Sequence, residues 1–347
     1  MALSGTWVFT VVRDDIIREA MLNVGAIGEA EVATAQEVTD CARKLNMMCK
    51  QWSGTKDFAP GLKMWQRQRG DLFLSSTQNV YGLGGSVVTT LPTKAQAWAG
   101  GVATIAGANY GQQQLTAQTN AGSAVLNFGV GNVGNFTVGD TVVVQVSTGD
   151  IFVSTVQSIN VGAGTVTMLS VLPAATTAPA SSYVWNYTTQ AQRPIDIKTM
   201  VLRDINANDT PVDPMTLQEY EMLPSKLQPG NLSDPSKAYY EAQFASGTSN
   251  TGPGLLYIDC YGEQDVTKHL HIVYLREIMD FNNPGDNPEY PQHWYRALCW
   301  GLSREIAGMF DAEWSDDMQK NHSESLAMAR EADVETTTLY YQANDAA

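Results

Sequence analysis

Apolar residues near the start of the chain recur at helical spacing. Ile16, Ile17, Ala20, Met21 and Val24 fall on one face of a run opened by Asp14 or Asp15, and Gly25 stands where a C′ glycine ends a helix. A second helix is signalled by Thr34-x-x-Glu37, a capping box in which the hydroxyl accepts from the N3 amide and the carboxylate accepts from the cap amide. Val38, Ala42, Leu45, Met48, Cys49 and Trp52 then repeat at three- and four-residue spacing as far as Ser53-Gly54. A third stripe follows Pro288-Glu289-Tyr290-Pro291: Trp294, Leu298, Gly301, Leu302, Ile306, Met309 and Phe310. A weaker fourth runs from Ser315 to Asp333, with Met318, His322, Leu326 and Ala329 on its inner side. Neither pair of helices can bury its stripes alone. The pattern therefore predicts that the two chain ends fold against each other, packed through Ile17, Met21, Leu45, Trp52, Trp294, Leu298, Leu302 and Ile306.

Between the ends the period shortens to two. Leu72–Leu74, Val80–Leu83, Pro194–Leu202, Lys237–Gln243, Leu255–Tyr261 and His269–Leu275 read as strands, punctuated by Pro229-Gly230, Gly252-Pro253-Gly254 and Asn283-Pro284-Gly285. The strand at 269–275 is apolar on both faces, which predicts a central position. Within 95–192, Gly139-Asp140 precedes a β-branched strand ending at Val146. Strands at Ile151–Ser158 and Thr165–Leu169 follow. The expected fold class is α+β: a helical bundle formed by N- and C-terminal helices, a β-sandwich or barrel core, and an inserted all-β module. The expected domains are 1–60 with 288–335 (bundle), 61–94 with 193–287 (sandwich), 95–192 (module) and 336–347 (a C-terminal arm).

Charge sharpens these boundaries. The 347 residues are 44% hydrophobic and 16% charged, with a net charge of −15, which excludes gripping nucleic acid by phosphate neutralisation. Residues 95–192 contain no Lys or Arg and only two acids, Asp140 and Asp150. A surface so free of charge is either solvated by Thr, Asn and Gln or packed against neighbouring copies. The four cysteines form no C-x-x-C pair and read as buried apolar residues of a reducing compartment. Neither a signal-peptide pattern nor an apolar run long enough to span a membrane is present, so a soluble chain is expected.

Catalytic signatures are sparse. His269-x-His271 places two imidazoles on one strand face, a metal-compatible spacing without a third ligand, and reads as structural. Gly82-x-Gly84-Gly85 is not followed by the Lys and Ser or Thr of a phosphate-binding helix, and reads as a bend into the insert. Asp14-Asp15 and Asp316-Asp317 sit where helix first turns favour negative charge. The expectation is a non-enzyme without catalytic residues, metal or cofactor. Another class remains open, a glycan-binding or cell-wall-active protein whose module contacts sugars through Trp98, Tyr110, Tyr183, Trp185 or Tyr187.

The order of landmarks carries a resemblance. Ile16 to Gly25 and Ala42 to Trp52, then Thr216-Leu-Gln-Glu-Tyr220, Lys237-Ala-Tyr-Tyr-Glu241, Leu255-Leu-Tyr-Ile258, His271-Ile-Val-Tyr-Leu-Arg276 and Tyr290-Pro-Gln-His-Trp294, resemble the head-to-tail adaptor proteins of short-tailed bacteriophages. These are the tail accessory or packaged-DNA stabilisation factors, and the likeness is to the larger members related to tail tubular proteins. It covers about residues 14–90 and 193–335 and leaves the module unmatched. It implies a structural virion protein, a connector that forms a ring of twelve copies at the head-to-tail junction and is assembled in the host cytoplasm. The implied partners are further copies of the chain, the portal protein and the tail nozzle or tube, with no membrane. DNA passes only as repelled cargo during retention and ejection. The resemblance also implies a portal-docking arm, here Thr336, Thr337, Thr338, Leu339, Tyr340 and Tyr341. A place in the tail tube itself is the alternative within this class.

Overall fold

The computed structural model describes residues 9–54, 66–75, 78–84, 98–101, 111–176, 183–204, 206–224, 233–242, 254–260 and 268–332. Helix and sheet are mixed. In chain order the helices are α1 (Arg13–Asn23), α2 (Ala35–Gly54), the short α3 (Leu217–Glu221), α4 (Tyr295–Ala307) and α5 (Asp316–Ala332). The chain divides into two compact units, Met1–Gln66 with Glu277–Ala347, and Arg67–Arg276.

The first unit joins the two ends of the chain. Its core holds Ile16, Ile17, Ala20 and Met21 of α1, Cys41, Leu45 and Met48 of α2, and Trp294, Leu298, Leu302 and Ile306 from the start and inner face of α4. The capping box of α2 forms: Thr34 N donates to Glu37 Oε2 at 2.8 Å and Glu37 N donates to Thr34 Oγ1 at 3.3 Å. Close approach of helices needs small residues. A Cβ on Gly301 of α4 would stand 2.8 Å from both Met48 Sδ and the Trp52 ring of α2. Ser303 of α4 donates to the Ala20 carbonyl of α1 at 3.3 Å.

The segment leading to α4 is held by α2. Asn46 donates to the Phe281 carbonyl at 3.2 Å and accepts from the Phe281 amide at 2.9 Å, while Lys50 donates to the Ile278 carbonyl at 2.6 Å. Ile278 and Phe281 are thereby buried in the helical core, so residues 277–287 lie in this unit and not with the strands, where the sequence reading put them. Met309 also departs from expectation. α4 stops at Ala307 with Gly308 as its C-cap, which leaves Met309 beyond the helix and 40% exposed.

Among the described residues, the second unit contains three sheets. Five strands run in the order β11 (Asp209–Pro211), β10 (Pro194–Arg203), β15 (His269–Arg276), β1 (Arg67–Phe73) and β3 (Trp98–Gly101). Four more run β12 (Asp213–Pro214), β13 (Lys237–Glu241), β14 (Gly254–Ile258) and β2 (Val80–Leu83). Leu72, Leu270, Ile272 and Tyr274 of the first sheet share a core with Tyr81, Leu83 and Leu256 of the second. β15 is central, as its two apolar faces predict. β3 was not anticipated: Trp-Ala-Gly-Gly carries no strand pattern, and its pairing with β1 places 98–101 in the first sheet and outside the module expected from residue 95.

The third sheet is the module. Its order is β4 (Gly111–Gln114), β9 (Tyr183–Tyr187), β6 (Thr141–Gln145), β7 (Ile151–Asn160), β8 (Thr165–Met168) and β5 (Val125–Asn127). Thr116 N donates to Asn127 O at 2.9 Å, so the sheet curls until the chain beyond β4 meets β5. Leu126, Phe128, Val142, Val144, Val166 and Val184 fill its interior. The chain leaving β2 touches the chain returning to β10. Gly84 has φ +71°, and a Cβ there would lie 2.1 Å from the Arg193 amide nitrogen, so only glycine fits the crossing.

Trp294 is fully buried at the meeting point of both chain ends. Trp294→Ala is expected to lower unfolding free energy by about 3–5 kcal/mol, the range for emptying a large aromatic site. Urea unfolding followed by far-UV circular dichroism checks this.

Candidate functional site

The most concentrated polar chemistry in the described residues lies inside the first sheet. Asp71 of β1 stands directly opposite His271 of β15, and Phe73 stands opposite His269. Alternation therefore puts Asp71, Phe73, His269 and His271 on one face, away from the core between the first two sheets. His271 Nδ1 donates to Asp71 Oδ1 at 2.7 Å, and His269 Nε2 lies 3.4 Å from the same oxygen. All three side chains are buried. On adjoining strands, Arg203, opposite His269, pairs with Asp209 at 2.7 Å.

Burial by itself would raise the Asp71 carboxyl. Hydrogen bonds from His269 and His271, with their electrostatic attraction, outweigh it and hold the group down to about 2. One carboxylate oxygen, Asp71 Oδ1, thus faces both imidazoles. Among the described residues, no group of three or more His, Cys, Asp or Glu is arranged to hold a metal. The cluster does one clear thing: it fixes the register of β1 against β15, because a slip of one residue would bury a carboxylate with no partner.

Other reactive groups are muted by burial. It raises the Cys49 and Cys299 thiols to about 12 and the Cys41 and Cys260 thiols to about 11, so all four stay protonated near neutrality. His322 packs edge-on to Trp314, ring centres 6.5 Å apart; burial, then Arg304 and Arg330, lower its pKa. A groove of about 500 Å³ in the first unit has a floor of Ile17, Met21, Ile27 and Val38 and a rim of Asp14, Arg18, Glu29 and Glu31. It contains no nucleophile beside a base.

Of the packing residues named from sequence, Ile17, Met21, Leu45, Trp294, Leu298, Leu302 and Ile306 are buried in the common core, with Trp52 half-buried against it. The arm, Thr336 to Tyr341, lies outside the described residues, as do Tyr110 and the Trp98 side chain. Trp185 and Tyr187 do not present rings to a ligand. They pack inward with Phe73, Val143 and Ile151, and the Phe73 and Trp185 rings are 4.8 Å apart. Tyr183 is half-buried against the same cluster. The sequence reading missed Asp71 because its partner His271 lies 200 residues away, with His269 on the same strand, and only cross-strand pairing brings them together.

The module's two acids are both engaged. Asp140 is buried and accepts from Thr137 N, Asn186 Nδ2 and Thr188 Oγ1 at 2.8–2.9 Å. Asp150 accepts from Ser75 Oγ at 3.0 Å. The described outer surface of the module is therefore almost uncharged, while Val125, Val130, Val138, Val161, Leu169 and Val171 are exposed on it.

No family description matches the chain, and no curated protein matches it. Among solved structures it is similar to VP17, a capsid protein of bacteriophage P23-77. That match has 9% identity, covers 59% of this chain and 79% of that one, and has a TM-score of 0.11. It is also similar to the VP16-VP17 complex of the two major capsid proteins of the same phage, with 10% identity, 59% and 81% coverage, and a TM-score of 0.12.

The Asp71 cluster makes stability depend on acid pH in a stated direction. Its folded value near 2 lies below the ordinary 3.8, so the contribution is complete above about pH 4 and disappears as pH falls through 2. Wild-type protein is expected to lose about 2 kcal/mol through this group between pH 5 and 2. Asp71→Asn, less stable at neutrality, is expected to show a correspondingly flatter profile in urea titrations over that range.

Proposed function

We propose that this chain is a structural virion protein, a ring subunit that joins the portal to the tail of a short-tailed bacteriophage. The observation that carries the reading is the first unit. Helices from both ends of the polypeptide share one core, in the order of parts on which the resemblance to head-to-tail adaptors rests. In this reading the first unit is a helical bundle that meets the portal. The first two sheets of the second unit form a β-sandwich that meets the tail nozzle or tube, and the module is an addition to it. Twelve copies surround a channel at the head-to-tail junction after assembly in the host cytoplasm.

The reading assigns the chain no catalytic step. It is supported by the chemistry on hand: the buried carboxylate is locked by two histidines, and burial keeps the thiols protonated. The net charge of −15 also suits a conduit for DNA. Acidic walls repel phosphates, so a genome is held back and then slides without adhering.

Two measurements test the proposal. Purified chain mixed with the portal of the same particle is expected to give a ring-sized complex by native mass determination; a portal that stays unbound would sink the reading. Removing residues 334–347 is expected to leave the circular dichroism spectrum unchanged and weaken portal binding at least tenfold. Unchanged binding takes the arm out of the mechanism.

A further inference from the structure

The outer face of strands β5, β8 and β7 has an unusual chemistry for a protein of this charge. Val125 and Asn127 of β5 lie opposite Thr167 and Thr165 of β8, and Ser158 of β7 pairs with Thr167 from the other side. Leu126, Val166 and Met168, the alternate positions, are buried in the module core, so the first set points outward. Leu169 continues the outward row of β8 at 66% exposure, and Val171 follows it at 55%. None of these residues is charged. A face of aliphatic tips among neutral hydroxyls and amides can lose its water cheaply, because no ion has to be desolvated.

We propose that this face is a contact surface for a second copy of the same chain. The argument for that occupant is electrostatic. Residues outside 95–192 carry twenty-one basic and thirty-four acidic side chains, so the net charge of those surfaces makes copies repel on balance. The module contributes no basic group, and its two acids are turned to internal hydrogen bonds. Copies can therefore meet across the module face without like charges at the contact. A basic partner would instead be drawn to the acidic remainder of the chain. The inference extends the ring reading by naming where neighbours touch, but it needs no portal and stands or falls separately.

Sedimentation velocity of the full chain, over a concentration series at 50 and 500 mM NaCl, tests it. Wild-type protein is expected to self-associate, and association is expected to hold or strengthen at the higher salt, which screens the remaining repulsion. The double substitution Val125→Glu and Leu169→Glu is expected to raise the dissociation constant at least tenfold with an unchanged thermal transition, since both side chains are exposed. Single Val32→Glu and double Val32→Glu/Met47→Glu substitutions, at exposed positions in the first unit, are expected to leave association unaltered. A wild type that is monomeric throughout overturns the proposal. So does association that salt abolishes, or that the module and first-unit variants weaken equally. Portal binding by a wild type that stays monomeric would leave the adaptor reading intact and remove this one.

Discussion

Everything in this protein hangs on the packing of α4 between α1 and α2. Those helices are far apart in sequence, and bringing them together costs loop-closure entropy that only a well-filled core offsets. Fully buried Ile16, Met21, Leu45, Trp294, Leu298 and Leu302 provide that core. Gly301 and Ser303 let the backbones come close enough to fill it. The second unit is closed by strand pairing. Its first and last strands, β1 and β15, are paired from Arg67 opposite Leu275 to Phe73 opposite His269, so the chain leaves and returns through neighbouring strands.

The device is repeated one level down. Gly84 and Arg193, on either side of the module, are in backbone contact. Within the second unit the chain therefore closes at two necks, an outer one where β1 pairs with β15 and an inner one where Gly84 meets Arg193. At the outer neck, strand pairing is reinforced by the Asp71 carboxylate and its two histidines. At the inner neck, a single glycine with positive φ permits the crossing. The necks use different physics because they face different demands: β1 and β15 must hold register across seven paired positions, while the inner crossing needs only proximity.

How much of this could be read in advance follows the range of each signal. The box of Thr34 and Glu37, the stripe of α2 and the C-terminal stripe of α4 are local and were visible. So was the central position of β15, written in its two apolar faces. Thr216 and Glu219 form a second capping box over α3, a local signal on a helix of five residues, too short to show an apolar stripe. Asp71 was invisible as a partner of the histidines, since nothing near it in sequence distinguishes it from a surface acid. β3 was invisible because its strand character comes from β1 and not from its own residues. Trp185 and Tyr187 were ambiguous for a different reason. An aromatic at alternate positions of a strand suits a ligand platform and a buried sheet face equally, and only the packing of Phe73 decides between them.

The closure of the chain ends has a consequence for synthesis. About 240 residues separate the end of α2 from the start of α4, so at roughly 5–20 residues per second α1 and α2 wait on the order of 10–50 s for their partner to leave the ribosome. During that interval α1 and α2 have only each other to cover their apolar stripes, while the intervening strands are already complete. Until α4 emerges, the faces of α1 and α2 that it covers in the folded protein stay open to water or to other chains.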